Sequence, residues 1–357
     1  MNGNMRVAMY YKNDDIRIEE KPIPEIGPGE ILVQTVACGL CGGETMEWYL
    51  ASRAPKVLGH EPTGIVAAVG PGVEDFAPGD RVHVHHHVPC MSCHHCHRGR
   101  FTLCESFSKS NLDPGGFAEY FRAPADLVRF DTFKLPPNVS FEAGTIIEPM
   151  ACTLKGIRQT PLHPGDAVAV IGLGFMGMCY LELLAISSAG KIFALDFSDW
   201  RLEKALSLGA THALNPAIED AGEKLRDLNH GRGADAVFVT APTLKAWESG
   251  LALVERGGQL HLGAPPPPGE IWPVDSNALY FSEVQINSTY SANHVDTRAV
   301  LDLLEAGRVD AEALITHRFG LEEVEQAIQL LLGAGSSLKS LIYPAGVPKQ
   351  LQEEALD

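Results

Sequence analysis

No stretch of this sequence approaches the ~20 consecutive apolar residues that a membrane-spanning helix needs, so a membrane partner is not expected. The N-terminus, MNGNMRVAMYYKNDD, lacks the basic, apolar, small-residue order of a secretion signal, and the chain is read as cytoplasmic. Basic charge is also scarce: 28 Lys and Arg against 45 Asp and Glu leave a formal net charge of −17. A surface of that sign repels phosphate backbones and anionic lipid, so no nucleic acid is expected as a partner. There is no internal repeat, and the proline run APPPPGE is a local loop rather than a linker. What remains is ordinary for a globular protein: 45% hydrophobic and 20% charged residues over 357 positions, enough for two domains or one large one.

Cysteine is plentiful and clustered. PCMSCHHCHRGRFTLC carries Cys90, Cys93, Cys96 and Cys104 in the spacing C-x2-C-x2-C-x7-C. In a cytoplasmic chain such a cluster points to metal or chemistry rather than disulfides. Four thiolates close a tetrahedral zinc shell and leave no open position, which makes a structural site; iron–sulfur ligation is the alternative for four cysteines. His94, His95 and His97, between the ligands, are read as solvated loop side chains. His85, His86 and His87 are read as strand, where alternation sends neighbours to opposite faces and keeps them from converging on one ion. Cys38, Cys152 and Cys179 are read as small packing residues.

The first half reads as β-rich and loop-rich, with β-branched runs such as ILVQTVAC and TGIVAAVG punctuated by Pro and Gly. Near residue 165 the pattern changes. Short apolar runs (AVAVIG, KIFALD, HALN, AVFVT, QLHLG, VQINSTYS) alternate with helical stretches, which predicts six strands in a doubly wound parallel α/β sheet. One intervening helix, SDWRLEKALSLG, has Ser198 or Asp199 as N-cap and Gly209 as its stop. The tail holds two amphipathic helices, VDTRAVLDLLEAG and LEEVEQAIQLLLGAG.

AVAVIGLGFMG places Gly172, Gly174 and Gly177 in G-x-G-x-x-G, with Phe175 and Met176 between the last two. The pattern follows a predicted strand and opens a predicted helix, as dinucleotide binding requires. The first glycine makes the turn, the second lets backbone approach a pyrophosphate, and the third packs helix on strand. The next strand ends at Asp196, whose carboxylate suits the ribose hydroxyls of NAD and repels the 2′-phosphate of NADP. Arg201 either stacks on adenine or softens that repulsion, or is a solvated helix arginine.

A closed lobe does no chemistry on a substrate, so a catalytic metal needs other donors. Cys41 in CGLCGGE, His60 and Glu61 in LGHEPTG, and Glu148 in TIIEPMACTLKG supply Cys, His and carboxylate with a position to spare.

Taken together, GLCGGE, GHEPTGIVAAVG, the four-cysteine lobe, IEPMACTLKG and VIGLGFMG resemble the zinc-dependent medium-chain alcohol dehydrogenase family. The resemblance spans nearly the whole chain and is closest to the sorbitol and threonine dehydrogenase branch, where a glutamate replaces a cysteine ligand of liver-type enzymes. It implies a GroES-like β-rich catalytic domain over 1–150, carrying the structural zinc lobe and completed by 291–357, with a Rossmann NAD-binding domain over 151–290. It further implies two zinc ions per chain. Cys41, His60 and Glu148 would hold the catalytic zinc, with Glu61 ligating it directly or approaching and leaving it, and the lobe cysteines would hold the structural one. The implied reaction is hydride transfer between a small secondary alcohol or its ketone (polyol, sugar or cyclitol type) and NAD, in a homotetramer or dimer. Three positions depart from the family. Gly43 replaces a Ser or Thr and Met46 a His of its proton relay. Lys155 stands where many relatives have His, as an active-site donor or a surface lysine. Glu44, Thr45, Glu61 or water are the substitutes for that relay. The rival readings are an epimerase, lyase or cyclase using tightly bound NAD, and a non-catalytic family member.

Overall fold

The computed structural model describes residues 3–333 and 335–353. The chain divides into two compact units, one formed by Met1–Ala151 with Ala292–Asp357 and the other by Cys152–Ser291.

The first unit is built on a seven-stranded sheet. Its path runs Ile315–Gly320, Lys339–Tyr343, Ile31–Gly39, Glu61–Val69, Arg81–Val84 and Thr132–Lys134, with Tyr120–Ala123 also paired to Ile31–Gly39. Two of these strands come from the end of the chain. Leu341 pairs with Gly39 and Ile342 with Cys38, so residues some three hundred positions apart share a ladder. A smaller sheet orders Asp15–Pro22, Asn4–Lys12 and Lys56–Val57. Apolar positions of these strands, with loop and helix residues, make two buried clusters, one around Val7, Phe117 and Ile328, the other around Val33, Val82 and Phe121.

The second unit is a six-stranded sheet in the order His212–Leu214, Lys191–Leu195, Ala167–Ile171, Ala234–Val239, Val254–Leu262 and Gln285–Ser288. Every pairing is parallel. These are the six predicted strands, and the near-continuous burial of Ala167–Ile171 and Ala234–Val239 is what a sheet covered on both faces requires. Strand order reverses between Ala167–Ile171 and Ala234–Val239, the switch point at which this sheet type binds ligands. Ser198 caps the helix Asp199–Ser207 by accepting from the Arg201 amide, and Gly209, at φ +102°, ends it.

One local expectation is corrected. The run DRVHVHHHV is a strand only over Arg81–Val84. From His85 onward the chain leaves the pleat, so strict alternation does not govern the three histidines. His85, His86 and Glu148 gather ligand atoms within 4.8 Å of one another. His87 turns to Ser110, its Nδ1 lying 2.6 Å from that carbonyl oxygen.

Candidate active site

Cys41 is the N-cap of a short turn, Gly42–Thr45, that follows the strand Ile31–Gly39. Its Sγ accepts from the Gly43 amide at 3.4 Å, and Glu44 Oε2 accepts from the Cys41 amide at 3.2 Å. Glu44 then reaches across to the other ligand stretch. Its Oε1 accepts from the Gly59 amide at 2.6 Å and lies 3.0 Å from His60 Nδ1. One buried carboxylate thus clamps the Cys41 turn to the His60 loop and leaves Nε2 of the imidazole for a metal, the usual outer support of a ligating histidine. Burial opposes the Glu44 charge, yet His60 and the two amides hold its pKa below the ordinary value. Burial likewise opposes an imidazolium at His60, but Glu44 and Cys41 outweigh it and push that pKa well up. The pocket is electronegative and suits a cation.

Glu61 is fully buried and is the cross-strand partner of Gly39. Its carboxylate lies over that glycine, where a Cβ would come within 1.9 Å of Oε2, so only Gly fits. Lys339 Nζ donates to both carboxylate oxygens, at 2.9 and 2.7 Å, and to the Leu40 carbonyl at 3.1 Å. Burial raises the Glu61 pKa, Lys339 and His60 pull it back, and nearby Glu148 raises it again. Cys41, His60 and Glu61 offer ligand atoms within 4.8 Å of one another, while Glu148, in the first turn of the helix Ile147–Arg158, groups with His85 and His86. The two groups adjoin, since the His60 and His86 rings are 4.6 Å apart. Lys155, on the same helix as Glu148, donates to the carbonyls of Tyr290 at 2.8 Å and Ser291 at 3.1 Å.

The lobe cysteines bring four sulfurs within 4.8 Å of one another. Tetrahedral zinc with Zn–S bonds of about 2.3 Å spaces its sulfurs about 3.8 Å apart, so the set fits such an ion. Cys93 and Cys96 sulfurs are 3.5 Å apart, far beyond a covalent bond. Hydrogen bonds from Ser92 lower the exposed Cys90 thiol to about 6, which favours the thiolate a metal binds, while burial lifts Cys96 to about 12. His94 stays outside the lobe core, exposed and against Arg98 at 2.9 Å.

The glycine fingerprint lies between the strand Ala167–Ile171 and the helix Phe175–Ala185, which contains Phe175, Met176 and Gly177. Gly172 has φ +87°, and a Cβ on Gly177 would lie 2.0 Å from the Gly172 carbonyl. A Cβ on Gly174 would meet nothing within 4 Å. Backbone conformation and packing therefore account for the outer two glycines, and the open space at the middle one leaves room for a ligand to approach. Asp196 is fixed by two amides, Leu173 N to Oδ2 at 2.7 Å and Ser198 N to Oδ1 at 2.9 Å. Arg201 NH1 is 3.8 Å from Oδ2. The glycine turn is thus tied to Asp196 through the Leu173 amide, and these residues fit a dinucleotide.

Comparison with known proteins agrees with this geometry. Residues 27–137 match the alcohol dehydrogenase GroES-like domain and residues 176–306 the zinc-binding dehydrogenase model. A sorbitol dehydrogenase of Bacillus subtilis is 32% identical over 351 residues, covering 96% of this chain and 98% of that protein. The chain belongs to the zinc-dependent medium-chain alcohol dehydrogenase family. The fold is that of solved members. A short chain alcohol dehydrogenase from E. coli CFT073, complexed with NADH, superposes with a TM-score of 0.86 at 28% identity, covering 95% of this chain and 99% of the other. A putative zinc-binding dehydrogenase from Sinorhizobium meliloti 1021, bound to NADP, gives 0.86 at 26% identity, with 96% and 100% covered. The GroES-like and Rossmann architecture expected from the sequence is therefore present. The protein is an oxidoreductase of this family, with zinc and a nicotinamide dinucleotide as its cofactors. Among the described residues no helix is long and apolar enough to cross a membrane.

The sequence offers Glu44 only as a possible proton carrier and gives no role to Lys339. Glu44 had a readable signal, as the third residue after an N-cap Cys41, the position from which a carboxylate reaches back. Lys339 had none, since only sheet pairing brings it to Glu61.

Proposed function

We propose that the protein oxidises a secondary alcohol of polyol type with NAD, reversibly. The observation that carries this reading is the open donor set. Cys41, the Glu44-oriented His60 and Glu61 gather ligand atoms within 4.8 Å of one another beside the group of His85, His86 and Glu148, while the four lobe cysteines form a separate closed set. Zinc held by Cys41, His60 and Glu148 would supply Lewis-acid polarisation of the alcohol oxygen. Glu61, with both oxygens on Lys339, and Lys155, bonded to two carbonyls, have supporting roles. The polyol class is supported by the relative named for sorbitol.

NAD is the assigned dinucleotide because Asp196 stands at the end of the second strand of the nucleotide unit, held by two amides and poised for the ribose hydroxyls. Arg201 is the competing influence. A panel of polyols and simple secondary alcohols, assayed with NAD and NADP, tests both claims. Turnover of a polyol with kcat/KM at least tenfold higher for NAD is expected. Equal or better kcat/KM with NADP overturns the cofactor assignment, and no turnover of any secondary alcohol overturns the reaction.

The reading also holds the protein to be a cytoplasmic homo-oligomer, a tetramer by family resemblance. It is supported by the exposed Ile271, Tyr280 and Phe281, in the segment leading into the edge strand Gln285–Ser288. A monomer in sedimentation at micromolar concentration would refute it.

A further inference from the structure

We propose that His85 is a metal ligand, sharing with Glu148 the ion of the Cys41 centre. The inference rests on the zinc reading above and adds a donor that the sequence motifs did not supply.

His85 is held on one side by Asp131. Its amide donates to the Asp131 carbonyl at 3.0 Å, and its Nδ1 lies 2.6 Å from Asp131 Oδ2. The other carboxylate oxygen of Asp131 accepts from Thr297 Oγ1 at 2.6 Å. The His85 and Asp131 side chains are both 0% exposed. This arrangement repeats what Glu44 does for His60, a buried carboxylate on Nδ1 that leaves Nε2 facing away.

Nε2 of His85 is buried and has no hydrogen-bond partner. It lies 3.9 Å from Glu148 Oε1, too far for a hydrogen bond. Two donors bound to one ion at about 2.0–2.2 Å stand roughly 3–4 Å apart, so the gap suits a metal between them. The site adjoins the Cys41 group through His86, whose ring centroid is 5.0 Å from that of His85 and 4.6 Å from that of His60. A buried imidazole anchored by one carboxylate on Nδ1, with its Nε2 3.9 Å from a second carboxylate, has the geometry of a metal ligand.

The test is cobalt titration of the chelator-stripped full chain as wild type, His85→Gln, Asp131→Asn and Cys41→Ser. The readouts are the ligand-field absorption of the site outside the four-cysteine lobe and the affinity by chelator competition. Glutamine keeps an amide for Asp131 but removes the imidazole donor. His85→Gln should weaken the second cobalt at least tenfold and shift its band. Asp131→Asn, which removes only the positioning carboxylate, should shift the same band with a smaller loss. An unchanged affinity and band in His85→Gln overturns the inference, and it leaves the zinc reading intact if Cys41→Ser loses the ion. If Cys41→Ser keeps full affinity and band while His85→Gln loses them, His85 ligates an ion apart from Cys41, and both the shared ion proposed here and the Cys41 zinc centre are overturned. Wild type taking up only the lobe metal overturns both. If His85→Gln fails to fold by circular dichroism, the Asp131→Asn band decides: a shift supports the inference and no shift overturns it.

Discussion

Lys339 and Glu61, 278 residues apart in sequence, form a fully buried ion pair in which one ammonium serves both carboxylate oxygens. Removing one member of such a pair leaves a charge without a partner in the core, and that loss exceeds what the pair itself contributes. Lys339→Met should therefore destabilise the protein by roughly 3–5 kcal/mol. The double variant Lys339→Met with Glu61→Gln should recover part of it, and urea unfolding followed by tryptophan fluorescence measures both.

The same pair constrains the proton route. Gly43 and Met46 carry no titratable group, so Glu61 is a base only once it leaves Lys339. General-base help is worth roughly 10²–10⁴-fold where it operates. Glu61→Gln should lower kcat and change its pH profile while zinc content stays constant. Full kcat with an unchanged profile would assign the proton to another path.

Glu44 joins the Cys41 turn to His60. Loss of such a support typically costs ten- to hundredfold in metal affinity. Glu44→Gln should show that loss in competition with a chromophoric chelator, with the lobe metal retained. Equal affinity in the variant would show that the clamp does not matter to the ion.

The two donor sets should fail differently. Cys93→Ser opens the closed lobe and should lower the melting temperature, with one metal lost. Cys41→Ser should abolish turnover and leave the fold intact by circular dichroism. Elemental analysis of freshly purified active protein should find two zinc ions per chain, and one or none would overturn the division of roles.

His261 sits fully buried in the nucleotide unit, its Nδ1 at 2.5 Å from Asn287 Oδ1. Burial lowers its pKa below the ordinary 6.5, against the opposing bond to Asn287. A histidine that resists protonation when folded adds stability that is fully present above the unfolded value and is lost as pH falls below it. Stability should therefore drop on acidification from about pH 6.5, by up to about 1.4 kcal/mol per pH unit from this group. In His261→Gln the slope should be shallower in urea midpoints between pH 7 and pH 5. An identical slope would show that other groups govern the acid limb.

What the sequence by itself determined is local. The Ser198 cap, the glycine fingerprint with Asp196 and the four-cysteine lobe each lie within a few dozen residues, and the six parallel strands follow one another along one continuous stretch of chain. In each, short-range geometry selects residue types that can be read in order: a turn glycine, a cap hydroxyl, a thiolate spacing. Cys41, His60 and Glu148 were legible as types that together match a family; of their outer support only the reach of Glu44 back to Cys41 had a local signal. Tertiary structure alone decided that Glu44 orients His60, that Asp131 orients His85 and that Lys339 neutralises Glu61. It also decided that the histidine run leaves the strand at Val84 and turns His85 toward Glu148. Those contacts form because buried charges and imidazoles must find partners wherever the folded chain places them. The partners come from strands and turns joined by long-range pairing, which no local pattern encodes.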